Sequence, residues 1–173
     1  PLYYSSILEE HTAVRNQVGI FDISHMGEVF FEGPKALETL NQLLTNKIDK
    51  LVPGKAMYSP MCNPNGGIVD DVVVYQLKPD YYLAVVNATN VEKDVSWMKS
   101  HCLNGCAMAD RSDEFGLLSV QGPKSRELMR SIFSNAIDQL VYYSIMPASL
   151  PWKDAFVART GYTGELGYEL LVK

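Results

Sequence analysis

Residues 63–75, Asn-Pro-Asn-Gly-Gly-Ile-Val-Asp-Asp-Val-Val-Val-Tyr, constrain this chain more than any other stretch. The first five are residue types that supply positive or fixed φ in tight reversals. The β-branched and aromatic run behind them has strand composition. Lys55 to Met61, ahead of the turn, reads as a second strand, and Pro60 marks it as an edge strand or a bulge. A hairpin closed by the turn would put Tyr58 opposite the aspartates. Asp70 and Asp71 interrupt the apolar run, and successive strand residues point to opposite faces. Either the strand is half-exposed and both carboxylates are ordinary, or one is kept for chemistry, because burying a carboxylate without a partner is costly.

Around this hairpin the chain alternates helix and strand patterns. Residues 3–18 suit a helix, with Ser6 and Glu9 as a capping-box pair and Gly19 as a stop. A loosely alternating stretch follows and ends in a strand from Glu28 to Phe31. Pro34 suits a first helical position, and Leu37, Leu40, Leu43 and Leu44 have helical spacing. Tyr81 to Val86 is a strand. Asn87 to His101 is a helix with Val91, Val95, Trp97 and Met98 on its apolar face and Glu92, Lys93 and Asp94 on its solvated face. Cys106 to Asp113 reads as a strand and a turn, and Phe115 to Gln121 as a strand. Ser125 to Phe133 is a helix, and residues 136–152 are irregular because Pro147 and Pro151 break regular elements. Two strands, 155–159 and 168–172, flank a loop containing Gly161, Gly164 and Gly167.

Gly-Pro-Lys occurs at residues 33–35 and again at 122–124, each time between a strand and a helix. This internal repeat predicts two related βαβ-like halves or subdomains. The expected fold class is α+β, with mixed, mainly antiparallel sheets and helices packed on one face. The subdomain boundary is placed between residues 113 and 114.

Composition narrows the function. The chain of 173 residues is 47% hydrophobic and 20% charged, as globular domains are. A net charge of −5 argues against non-specific nucleic-acid binding. No apolar run reaches the roughly 18–20 residues that a membrane helix needs, and the first residues show no signal-peptide pattern. Cys62, Cys102 and Cys106 are an odd number, which implies no closed disulfide framework. Cys102 and Cys106 could face each other on a helix, but without further ligands nearby they predict no zinc site. Asp22, Ser24 and His25 do not make a triad on this pattern: no nucleophile elbow is present, and a serine next to its histidine in a strand points away from it. The glycine loop lacks the phosphate-loop pattern. The first residue is not methionine and the last follows a strand directly, so the sequence reads as a piece of something longer.

The remaining polar groups, Tyr58, Tyr162 and Tyr168 with Asp70, Asp71, Glu165 and Glu169, lie near glycine turns. Tyrosines stack on flat rings, and a carboxylate accepts from an N–H/NH2 edge. They suit a flat, nitrogen-rich heterocycle, or else they are ordinary hairpin residues.

Five collinear stretches resemble the glycine-cleavage T-protein family of folate-dependent aminomethyltransferases. They are FDISHMGEV, KAMYSPMCNPNGGIVDDVVVY, VVNATNVEKDVSWM, SVQGPK and RTGYTGELGYE. The resemblance covers nearly the whole chain. It implies transfer of a one-carbon unit from an aminomethyl-lipoyl carrier, the H-protein, to tetrahydrofolate as co-substrate, with release of ammonia and no metal. It implies that Asp71 is the central catalytic aspartate beside the folate nitrogens. It implies that Tyr58, Asn87 and Tyr162 contact folate and that Glu169 pairs with the pterin edge, so that Tyr162 and Glu169 clamp the ring from two ends of one loop. Asp70 is expected to be supporting or solvated, and His25 and Met26 receive no role. Family members run to about twice this length, and a later domain contributes an arginine to the folate site. Within the superfamily, folate-dependent demethylase domains share the aspartate and the glycine loop. The Lys-Gly-Cys motif that distinguishes the related iron–sulfur assembly factor does not occur within residues 1–173, and its region could lie beyond Lys173. A non-catalytic folate-binding fragment is the alternative from another class. The expected compartment is the cytoplasm, or the mitochondrial matrix in a eukaryote.

Overall fold

The computed structural model describes residues 2–150 and 153–173. In chain order the elements are α1 (Ile7–Asn16), β1 (Gly19–Asp22), β2 (Gly27–Glu32), α2 (Ala36–Leu43), β3 (Ala56–Cys62), β4 (Ile68–Lys78), β5 (Tyr81–Val86), α3 (Val91–Ser100), β6 (Ala107–Asp110), β7 (Gly116–Gln121), α4 (Ser125–Phe133), β8 (Ile145–Leu150), β9 (Lys153–Ala158) and β10 (Gly167–Val172). The expected α+β class is what forms. All described strand pairs are antiparallel, so the two halves are not parallel βαβ units.

The chain divides into two compact units, 25–115 and 1–24 with 116–173. The sequence-based division keeps residues 1–113 together. The first 24 residues, however, join the C-terminal unit, because β1 pairs with β7. The alternation of residues 19–22 was too short to identify β1 beforehand.

In unit 25–115 the sheet order is β3-β4-β5-β2-β6. Val29, Phe31, Val72, Val74, Ala84 and Val86 line one face. They pack with Leu40 and Leu43 of α2 and Met98 of α3. Burying each such side chain contributes roughly 1.5–3 kcal/mol. In the other unit the order is β1-β7-β10-β9-β8. Val120, Val157 and Leu170 form its core with Met129 and Phe133 of α4. β8 crosses the region expected to be irregular. Its Pro147 is tolerated because β8 is an edge strand.

The Gly-Pro-Lys repeat has one physical explanation in both units. Gly33 has φ +114° and Gly122 φ +132°. A Cβ on Gly33 would lie 2.7 Å from the Gly105 carbonyl oxygen, and one on Gly122 2.5 Å from that of Gln17. The lysine two residues on donates its backbone N–H to that same carbonyl, Lys35 to Gly105 at 3.3 Å and Lys124 to Gln17 at 3.0 Å. Each glycine is thus needed both for its φ and for a close backbone approach. Pro34 lies in the turn, one residue before the cap of α2, and not at its first helical position.

Ser6 caps α1, accepting from Glu9 N–H at 3.2 Å. The carboxylate that reaches back is that of Glu10, which accepts from the N–H of Tyr4 and Ser5. α1 ends at Asn16, and Gly19 opens β1. Cys102 and Cys106 lie beyond the end of α3, so no helix brings them face to face. The three cysteines are reduced. Among the described residues no helix is long and apolar enough to cross a membrane.

Candidate functional site

Each unit carries one cluster of the polar residues picked out above. In unit 25–115 the Asn63–Gly67 turn organises it. The Asn63 side-chain oxygen accepts from the N–H of Asn65 and Gly67, and the Asn63 N–H donates to the Gly67 carbonyl. The ladder then shifts register between Met61 and Cys62, which leaves Val69 without a partner. Beyond the shift Met61 faces Asp70, Pro60 faces Asp71 and Tyr58 faces Val73. Tyr58 is therefore not opposite the aspartates but diagonal to Asp71, on the same face of the edge pair. Tyr58 is 45% exposed, and Asp71 is exposed.

Asp70 points the other way, toward the helices, and is 6% exposed. Of the two alternatives for Asp70, supporting or solvated, the solvated one fails; it is the buried member of the pair. Asn87, directly after β5, donates through Nδ2 to Asp70 Oδ1 at 3.0 Å and to the Asp71 carbonyl at 3.0 Å. Asp94 on α3 is fully buried and meets Asp70. Its assignment to the solvated face was wrong. Burial pushes the Asp94 carboxyl up to about 7; Asp70's hydrogen bond and charge add to this, and Lys93 opposes it. Burial also works to raise Asp70, but bonds from Asp94, Asn87, the Asp71 backbone and Asn90 outweigh it, so Asp70 lies below the usual carboxylate range.

In the second unit the glycine loop sits on Gln121, which is buried and contributed by the last position of β7. Its Nε2 donates to the carbonyls of Thr160 and Tyr168, and its Oε1 accepts from Thr163 Oγ1 at 2.9 Å. A Cβ on Gly161 or Gly167 would collide with this amide at 2.2 and 2.0 Å. Thr160 donates its hydroxyl to Glu169 Oε2, which fixes one side of that carboxylate on β10. Arg15 of α1 pairs with Glu165 at 3.0 Å and donates to the Thr163 carbonyl, tying the helix to the loop. Beside the loop is a cleft of about 320 Å3 lined by Tyr142, Arg159, Thr160 and Glu165.

Tyr162, at 105% exposure, projects into solvent from the loop, so it does not close over Glu169 here. Tyr168 is a core residue, fully buried, with its hydroxyl accepting from Arg126. Ser24 is a turn residue: it donates to Asp22 and accepts from the Leu117 N–H. Among the described residues no group of three or more His, Cys, Asp or Glu is placed to hold a metal.

Comparison with known proteins identifies the family. A family model described as the GCVT N-terminal domain matches residues 1–173. The chain belongs to the GCVT N-terminal domain family. Members similar to it include the aminomethyltransferase of Halothermothrix orenii, 47% identical over 98% of this chain, and that of Bacillus subtilis, 43% identical over 98%. The chain spans about half the length of these curated relatives, 48% and 47%. The crystal structure of the glycine cleavage system aminomethyltransferase T from Bartonella henselae superposes with a TM-score of 0.85 at 31% identity. It covers 99% of this chain and 45% of that one. The heterotetrameric sarcosine oxidase of Corynebacterium sp. U-96 shares the fold alone, with a TM-score of 0.65 at 14% identity over 95% of this chain and 81% of that one.

Two residues central to these GCVT N-terminal clusters, Asp94 and Gln121, escaped the sequence reading. Both left a signal. Val91, Asp94, Val95 and Met98 follow the i, i+3, i+4, i+7 spacing of a buried stripe. Gln121 is the polar end of an otherwise apolar strand, directly ahead of the Gly-Pro-Lys turn.

Proposed function

We propose that this chain carries folate-binding and catalytic residues of a glycine cleavage system aminomethyltransferase. In that reaction the one-carbon unit of an aminomethyl-lipoyl carrier protein passes to tetrahydrofolate, ammonia leaves, and 5,10-methylenetetrahydrofolate and the dihydrolipoyl carrier remain. The observation that carries the reading is the division of labour at Asp70–Asp71. Asp70 is buried and bonded, while Asp71, the next residue, presents a carboxylate that makes no hydrogen bond to a described residue. Asn87 grips the Asp71 carbonyl, which anchors the stretch of backbone from which that carboxylate projects. A carboxylate projecting there stabilises positive charge developing on a folate nitrogen as the carbon is transferred.

The other assigned residues fit the same ligand chemistry. Tyr58 offers an exposed ring on Asp71's face of the sheet. Glu169, anchored by Thr160, offers an acceptor suited to the N–H/NH2 edge of a pterin. Tyr162 offers a ring that can cover a flat heterocycle. The carrier protein is the proposed partner.

Replacing Asp71 by Asn tests the role. Aminomethyl transfer falls at least about a hundredfold, the scale of one lost electrostatic stabiliser, while tetrahydrofolate affinity is largely kept. Unchanged transfer would remove Asp71 from the chemistry.

A further inference from the structure

Asp94 has no solvent-accessible surface and lies in the buried stripe of α3 with Val91 and Met98. Neither of its carboxyl oxygens meets a hydrogen-bond donor among the described residues, and neither does Asp70 Oδ2. Few polar groups face it. Lys93, on the same helix, holds Nζ 3.7 Å from Asp94 Oδ1 but gives its hydrogen bond to the Val69 carbonyl of β4. From β4 comes Asp70, within hydrogen-bonding reach of Asp94. Asn87, just ahead of α3, bonds to Asp70 rather than to Asp94. Asp71 turns its side chain to the opposite face of the sheet.

Two ionised carboxylates are acceptors only and cannot satisfy each other. In a dry site they also repel strongly. One shared proton removes both problems and gives a short, charge-assisted O–H···O bond. The surroundings decide where it resides. Asp70 Oδ1 accepts from the Asn87 amide, which favours its ionised form. Asp94 has only the more distant Lys93. Asp94 is the acid and Asp70 the carboxylate.

The consequence reaches the ligand side through Asn87. Its Nδ2 is spent on Asp70 Oδ1 and the Asp71 carbonyl, and its Oδ1 accepts from no described residue. We propose that Asp94 is a positioning residue: as a neutral acid it anchors Asp70, which holds the Asn87 amide with its oxygen offered as an acceptor to the bound ligand. The ligand group recognised there is an N–H donor. This rests on the folate reading, in which a reduced pterin supplies ring N–H groups.

The test uses the full chain with Asp94→Asn, which keeps a donor to Asp70, and Asp94→Leu, which removes it. Side-chain NMR reads the Asp94 carboxyl and the exchange of the Asn87 amide protons; calorimetry reads tetrahydrofolate affinity. The expected results are a protonated Asp94 at pH 6 and slow Asn87 exchange in the parent and in Asp94→Asn. In Asp94→Leu exchange is at least about tenfold faster and tetrahydrofolate binds about tenfold more weakly, the effect of one lost hydrogen bond. From pH 6 to 8.5 the parent loses affinity as Asp94 ionises, whereas Asp94→Asn stays flat; this comparison decides the matter if Asp94→Leu does not fold. An ionised Asp94 at pH 6, an unaltered Asn87 in Asp94→Leu, or the same pH slope in Asp94→Asn overturns the proposal. If the parent binds no tetrahydrofolate while the Asn87 signature behaves as expected, the folate reading falls and the positioning role is upheld.

Discussion

The carboxyl group of Asp94 on α3 meets that of Asp70 on β4 inside one unit, and both are shut away from solvent. The pair joins a helix to the strand that carries Asp71, and it links stability to pH.

That link has a definite sign. The folded protein holds the Asp94 proton up to about 7, against an ordinary value of 3.8. Glu28, buried on β2 with both carboxyl oxygens unpartnered among the described residues, is raised from 4.5 to about 8, first by burial and then by Asp110. Between the unfolded and folded values the native state binds more protons, so stability falls as pH rises. It is fully present below about pH 4 as far as these two groups are concerned, and lost by about pH 8. The melting temperature is expected to decline from pH 5 to 8.5, with a shallower slope in Asp94→Asn and in Glu28→Gln. A rise over that range contradicts the assignment.

Gly33→Ala and Gly122→Ala should each destabilise by about 2 kcal/mol or more, because positive φ and a backbone clash act together. Chemical denaturation measures this. A loss below about 0.5 kcal/mol would show that the turn relaxes, and that the repeated Gly-Pro-Lys sequence is not required by its backbone.

Gln121→Ala removes the amide that ties together Thr160, Thr163 and Tyr168. The expected outcome is faster amide hydrogen exchange across residues 160–167 and tetrahydrofolate binding weaker by about tenfold, with the core strands still protected. Unchanged exchange in the loop would show that Arg15 and Glu165 hold it unaided.

Tyr162→Ala separates function from folding. The ring is fully exposed, so stability stays within about 0.5 kcal/mol. If the ring stacks on the ligand, affinity drops about three- to tenfold, the usual worth of an aromatic contact. Equal affinity would remove Tyr162 from the site.

Much of this was legible beforehand. The Asn63–Gly67 turn, the edge position of the Pro60 strand and the two strand–turn–helix repeats follow from residue types with narrow backbone choices, and such choices are local. What escaped notice depended on distant partners. β1 is four residues long and exists because β7 lies beside it. β8 survives Pro147 because no strand lies beyond it. The charge of Asp94 points to the solvated face, whereas its spacing with Val91, Val95 and Met98 matches the buried stripe. Asp70 shares its face with Val72 and Val74 by simple alternation, but which face of β4 is buried is decided by the helices packed on it.

The central claim is that residues of this chain recognise a reduced folate. The most direct test is calorimetric titration of the chain with tetrahydrofolate, with folding verified by circular dichroism. The expected result is binding in the micromolar range that is lost in Glu169→Ala. No measurable binding by the folded chain, or the same affinity in Glu169→Ala, would contradict it.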